Sequence, residues 1–354
     1  MRNILSATIL RCAIVIAFVV SASVSEAQDA HFSQYYMTPL TVNPALTGVF
    51  DGKFRVSNDY RTQWTGIGSG YKTLHVSADL PLAKGMLGSN YFGLGFLLVQ
   101  DKAGEAGFAK TNMMASLSYV AALDDQGDNF VSIGFQGGIN SQSLDLSKAT
   151  WDNQWNGDAF DPYINSFESI QLETFSYLDF NAGLMYYYVP DGANTFNVGA
   201  SMSHIGSPNV SFFTLSDAPL YQKFTFHSSG EFTLNRDKYA WICPKVFYQQ
   251  QGPHQEALFG AYFKNKIQFK SRYTNYKKEA YFYLGGFYRW KDATIIGARI
   301  EYNMFGLGLS YDINSSQLGN LASGANAFEI TLSYVSYVKR GQHSKHFNKM
   351  PRFF

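Results

Sequence analysis

Cysteine is nearly missing from this chain; only Cys12 and Cys243 occur. Cys12 lies in an N-terminal leader, so an exported chain would keep a single thiol. One thiol excludes an internal disulfide and a zinc site built on paired cysteines. Excess charge of either sign is missing too: Lys and Arg number 28, Asp and Glu 27, and the net charge is +1. A nucleic-acid binder would carry a basic patch. Charged residues make up only 16% of the chain, against about a quarter in a soluble domain. Beyond the leader no apolar run reaches the roughly 20 residues of a transmembrane helix. Aromatic residues, in contrast, reach 17%, with 24 Tyr and 30 Phe, beside 31 Gly. Low charge with abundant Tyr, Phe and Gly suits a lipid-facing β-barrel with aromatic girdles.

The leader reads as a secretory signal. Arg2 and Arg11 give a basic start, Cys12 to Val20 is unbroken apolar sequence, and Ser25 and Ala27 precede a cleavage point before Gln28. The apolar run is too short to cross a bilayer. Arg11 stands directly before Cys12, where a lipoprotein would need a small residue. The expected organisation is a signal peptide over 1–27, an N-terminal periplasmic plug or docking segment over 28–52, a barrel over 53–338 and a basic tail over 339–354. That tail carries Lys339, Arg340, Lys345, Lys349 and Arg352.

Periodicity supports the barrel. Apolar and polar residues alternate through Leu74–Leu80, Val131–Asn140, Phe224–Leu234 and Phe328–Tyr334. Strand side chains alternate between faces, so each segment offers one apolar and one polar face. The alternation predicts Val76, Ile133, Phe226 and Leu332 toward lipid, and His75, Gln136, Glu231 and Glu329 toward a wet lumen. Segments of about nine to twelve residues match a tilted strand crossing a bilayer and exceed the usual soluble strand. Turn signals separate them at 124–128, 190–194, 235–238 and Lys264-Asn265-Lys266. Candidate strands start near Lys53, Tyr71, Tyr91, Thr111, Asn129, Phe175, Thr195, Lys223, Tyr239, Ala257, Lys266, Ala280, Ala293, Met304 and Ala327. That tally is odd, whereas a barrel with both ends in the periplasm has an even count. The expectation is an all-β, antiparallel transmembrane barrel of about 14 strands, within about 12–16. One segment is therefore not a full span, and it is expected in the closely spaced pair from Ala293 to Asp312.

Chemistry finds little support. Asp152-Asn153-Gln154-Trp155-Asn156-Gly157-Asp158 faintly resembles a calcium loop, but Tyr163 stands where a bidentate Glu belongs. A turn held by Asx hydrogen bonds explains it. His343 and His346 lie in the basic tail without acidic or thiol partners. His75, His204 and His227 sit on strands, and neither Gly-x-Ser-x-Gly nor His-Glu-x-x-His occurs. No nucleophile, base and orienter come together, so no catalytic residue, metal or cofactor is expected. Ahead of the first strand, Phe32, Tyr35, Tyr36, Asn43 and Pro44 are too apolar for a free tail. They should be buried, and Asn43-Pro44 should fix a turn.

Several strings resemble the PorP/SprF family. They are Gln28 to Tyr36, Pro39-Leu40, Asn43 to Gly48, Arg61-Thr62-Gln63-Trp64, Ala78 to Leu82 and Gln100 to Gly104. Further along come Trp151, Gln154, Gly157, Phe160-Asp161-Pro162, Tyr288 to Ala293, Gly308 to Ser316 and Phe328-Glu329-Ile330. The family's Cys-Pro-x-Phe-like end is replaced here by Met350-Pro351-Arg352-Phe353-Phe354. The resemblance implies an outer-membrane barrel of the type IX protein-secretion machinery. Its expected partners are periplasmic ring proteins or a lipoprotein, or the C-terminal region of a secreted, gliding-type adhesin, with membrane lipid around it. The alternative is an outer-membrane channel for small or hydrophobic solutes. Candidate plug and partner residues are Phe32, Gln34, Tyr35, Tyr36, Asn43, Pro44, Arg61, Trp64, Tyr311 and Asp312.

Overall fold

In a computed structural model of the chain, the described residues are 29–66, 69–87, 89–125, 127–161, 163–167, 173–190, 193–213, 216–235, 239–269, 278–315 and 326–336. The signal, its cleavage point and the basic tail with His343 and His346 lie outside them. The strands are β1 (Arg55–Gln63), β2 (Tyr71–Leu87), β3 (Asn90–Ala103), β4 (Phe108–Ala122), β5 (Asn129–Ser143), β6 (Thr174–Tyr188) and β7 (Thr195–Ser203). They continue as β8 (Lys223–Thr233), β9 (Ala240–Gln251), β10 (His254–Gln268), β11 (Ala280–Arg289), β12 (Ala293–Tyr302), β13 (Phe305–Asn314) and β14 (Ala327–Val335). Each pairs antiparallel with its sequence neighbour, and β1 closes on β14 from Arg55↔Val335 to Gln63↔Ala327, giving a closed barrel of 14 strands.

The alternation read from the sequence is the inside-outside alternation of this barrel. On β14, Phe328, Ile330 and Leu332 are exposed outward, while Glu329, Thr331 and Ser333 are buried inside. Ile133 and Phe226 likewise point outward, and His75 and Gln136 inward. Aromatic pairs on the outer face, Phe54–Tyr334, Phe92–Tyr119 and Phe259–Tyr288, have ring centroids 5.6, 5.1 and 5.8 Å apart. Such rings suit the two membrane interfaces.

The strand expected to be dispensable is a different one. β12 and β13 are both genuine strands, joined by a turn at Asn303 (φ +60). The surplus start was Lys266, because β10 runs unbroken through Lys264-Asn265-Lys266. Those lysines are strand residues with partners. Lys264 Nζ lies 2.9 Å from Glu231 and 5.1 Å from the centroid of the Trp241 ring, and Lys266 Nζ lies 2.8 Å from Glu279.

Two mouths follow from the topology. At the terminal mouth, where β1 begins and β14 ends, the connections are 88–89, 123–128, 189–194, 234–239, 269–279 and 303–304. At the opposite loop mouth they are 64–70, 104–107, 144–173, 204–222, 252–253, 290–292 and 315–326. The three longest connections all belong to the loop mouth.

Candidate functional site

The feature that sets this barrel apart is what its lumen holds. From Phe32 to Phe50 the chain lies inside, with Thr41 alone among these residues not fully buried. Short helical turns at Tyr35–Met37, Pro39–Val42 and Pro44–Leu46 compact it. Proline opens two of these turns, where its missing N–H costs nothing. Asn43 sets the middle bend, its side-chain oxygen accepting from Ala45 N at 2.9 Å.

A buried backbone must find hydrogen-bond partners, and the barrel wall supplies them down its length. Near the loop mouth, Glu329 accepts from the amides of Ser33 and Gln34, both at 2.8 Å. Ser33 Oγ donates to Asp312 at 2.6 Å and accepts from Arg289 at 2.7 Å. Arg61 contacts Ser33 Oγ and pairs with Asp312 and Glu329, each at 2.9 Å. Midway, Gln136 donates to Leu40 O at 3.3 Å and Ser201 to Val42 O at 2.6 Å. Asn43 Nδ2 reaches Leu184 O, Ala200 O and His227 Nε2 at 3.1–3.2 Å. Near the terminal mouth, Ser132 donates to Ala45 O and Ser118 to Thr47 O, both at 2.6 Å. There Asp79 accepts from Gly48 N at 2.7 Å and is paired with Arg55 at 2.6 Å.

Apolar packing fills the rest. Tyr35 lies against Phe247 with centroids 4.6 Å apart, and Tyr36 meets Phe287 and Tyr262. The Tyr36 and Tyr262 hydroxyls are 2.6 Å apart. Phe32 sits edge-on to His75 at 5.8 Å, in a second cluster with Leu40, Leu97, Val99 and Met114. Burial pulls the His31 imidazole down to about 4, against the opposing pull of the Glu256 carboxylate 3.9 Å away.

Glycines make the wall approachable. A Cβ on Gly134 would stand 2.3 Å from Ala45 N, one on Gly93 2.2 Å from Thr47 O, and one on Gly183 1.9 Å from Asn43 Oδ1. The segment's backbone occupies that space at Gly134 and Gly93, and the Asn43 side chain occupies it at Gly183.

The segment therefore occupies the lumen along its length. Of the ten candidate residues, Phe32, Gln34, Tyr35, Tyr36, Asn43, Pro44, Arg61 and Asp312 come together in it. Trp64 and Tyr311 do not. Trp64 packs edge-on to Tyr71 at the loop mouth, at a left-handed φ of +56. Tyr311 is on the outer face, its hydroxyl accepting from Asn326 at 2.9 Å. Glu329, Arg289, Asp79 and Arg55 were missed, although alternation already placed Glu329 inward. A further signal was β3, apolar on both faces through Tyr91, Leu97 and Val99, which a wet lumen would not accept. In the 144–173 connection, Asn156 Oδ1 accepts from Asp158 N and Ala159 N at 2.9 Å, an Asx-type closure of the calcium-like stretch. Among the described residues no group of three His, Cys, Asp or Glu is arranged to hold a metal ion.

Residues 24–334 match the family described as type IX secretion system membrane protein PorP/SprF. The chain belongs to the PorP/SprF family. It is thus an outer-membrane component of type IX secretion that works with other secretion components, in a family not known for enzymes. No curated protein matches the sequence. Solved structures similar to it include the toluene transporter TbuX of Ralstonia pickettii, at 10% identity and TM-score 0.46, covering 83% of this chain and 92% of that one. The toluene transporter TodX of Pseudomonas putida aligns at 9% identity and TM-score 0.43, covering 88% and 95%. BamA of Haemophilus ducreyi, lacking POTRA domains 1–3, aligns at 11% identity and TM-score 0.41, covering 80% and 70%.

Proposed function

We propose that this PorP/SprF protein is a sealed scaffold. In this reading it fixes other secretion components to the outer membrane, anchoring periplasmic ring proteins or supporting export and surface attachment of a secreted adhesin. Residues 28–52 serve as the plug or docking segment, and Phe32, Gln34, Tyr35, Tyr36, Asn43 and Pro44 hold it through packing and hydrogen bonds. Arg61 and Asp312 hold it from the wall. The observation that supports this most is the lumen filled from Phe32 to Phe50 by the chain itself. A solute channel would need that space open, and the hydrogen bonds and ion pairs along the segment oppose its leaving.

Isolation in mild detergent, followed by mass spectrometry of what comes with the barrel, tests the proposal. Secretion-machinery proteins or a large surface protein should co-purify, and the purified barrel should not conduct in planar bilayers. A barrel recovered alone that conducts steadily would refute it.

A further inference from the structure

The direction in which the segment threads the lumen follows from the strand ends it touches. His31 and Ser33 meet Glu256 near the start of β10, Arg289 at the end of β11, Asp312 near the end of β13 and Glu329 near the start of β14. All four positions border the loop mouth. Ala45 and Thr47 meet Ser132 near the start of β5 and Ser118 near the end of β4. Lys53 N then donates to Ser336 O at 3.0 Å, at the terminal mouth. The chain thus traverses the lumen from one mouth to the other before β1 begins. Outer-membrane barrels place short turns in the periplasm and long connections outside, and the longest connections here, 144–173, 204–222 and 315–326, share the loop mouth.

We infer that the chain enters its own barrel from the cell-surface side at His31 and descends toward the periplasm to reach β1. Two consequences follow. The β1–β14 seam closes with the segment already inside, because an exported chain is delivered from the periplasmic side. The start of the segment is also offered outward, where an exported protein can reach it and a periplasmic ring protein cannot. His31 suits this position, since its side chain keeps 23% of its surface exposed while the next nine residues are buried.

Cysteine accessibility in intact cells tests the inference. With Cys243, which is buried, replaced by alanine, single cysteines would be placed as His31→Cys, Lys53→Cys and Lys148→Cys. Lys148 lies exposed in the long 144–173 connection and Lys53 is exposed at the terminal mouth. A membrane-impermeant maleimide should label His31→Cys and Lys148→Cys in intact cells, and Lys53→Cys only after the outer membrane is opened. Labelling of His31→Cys only in opened cells, together with Lys53→Cys, would overturn the inference. So would labelling of Lys53→Cys but not Lys148→Cys in intact cells. Should His31→Cys fail to fold by heat-modifiable migration, an epitope inserted between Ala30 and His31 gives the same reading. Antibody binding to intact cells supports it, and binding only after permeabilisation refutes it.

Discussion

Replacing Gly134 with alanine is the sharpest perturbation of the filled lumen. A methyl group there would stand 2.3 Å from Ala45 N and from the Pro44 carbonyl carbon, all backbone atoms with no rotamer to yield. Overpacking of this kind costs about 1–3 kcal/mol. A segment pushed off the wall also lengthens the 2.6 Å bond from Ser132 to Ala45 O, worth about 1 kcal/mol net. Together these weaken seating by about 2–4 kcal/mol, or roughly 30- to 1,000-fold in the ratio of seated to unseated segment. The strand itself keeps its pairs, Gly134↔Ser118 and Gly134↔Gly183. Hydrogen exchange read by mass spectrometry in detergent should therefore speed up across residues 32–50 in Gly134→Ala while β5 stays protected. Gly286→Ala is the control, since a Cβ there meets nothing closer than 4.0 Å. Unchanged exchange in the segment, or loss of β5 instead, would refute the reasoning.

Other expectations follow from the same geometry. Phe226→Arg on the lipid face should destabilise the barrel by about 2–4 kcal/mol, read from urea titrations in detergent or lipid. Ser132→Arg, on the lumen side, should keep the barrel but displace the segment, read as faster proteolysis of residues 32–50. Arg61→Ala leaves Glu329 and Asp312 short of a buried counter-charge, at about 3–5 kcal/mol, and should free the Ser33 end of the segment first in hydrogen exchange. His31 is held neutral with its pKa lowered to about 4. Its contribution is full above the unfolded value of about 6.5 and is lost as pH falls toward 4. Exchange at residues 31–36 should rise on acidification through that window, and His31→Gln should flatten the rise.

Much of this barrel is legible in the sequence because lipid imposes a period of two. Ile133, Phe226 and Leu332 announce an outer face whichever strands they pair with. The same rule does not say where a strand ends when its rim carries partnered charges. Lys264 and Lys266 read as a turn because their partners lie away from β10, Glu231 on β8 and Glu279 in the connection just before β11. The Phe- and Tyr-rich stretch before β1 was readable as buried, since Phe32, Tyr35 and Tyr36 are too apolar for water. What surrounds it was not. Ser33 meets Glu329 across 296 positions of sequence, and alternation records which face a residue takes, not what lies across the lumen. Gly93, Gly134 and Gly183 looked like ordinary barrel glycines, yet each marks a point where the segment touches the wall.

The most direct test of the sealed-scaffold account is the combined Phe32→Ala and Tyr35→Ala variant compared with wild type. Both rings are buried in the lumen, and each contributes about 1.5–3 kcal/mol by burial, enough to loosen the segment without opening a closed barrel. Heat-modifiable folding, recovery of secretion partners, secretion of the cognate surface protein and liposome permeation would be measured side by side. The account predicts retained folding with a fall in secretion or partner recovery. Untouched secretion and partner recovery, with small-solute permeation alone altered, would contradict it and make the protein a transport pore.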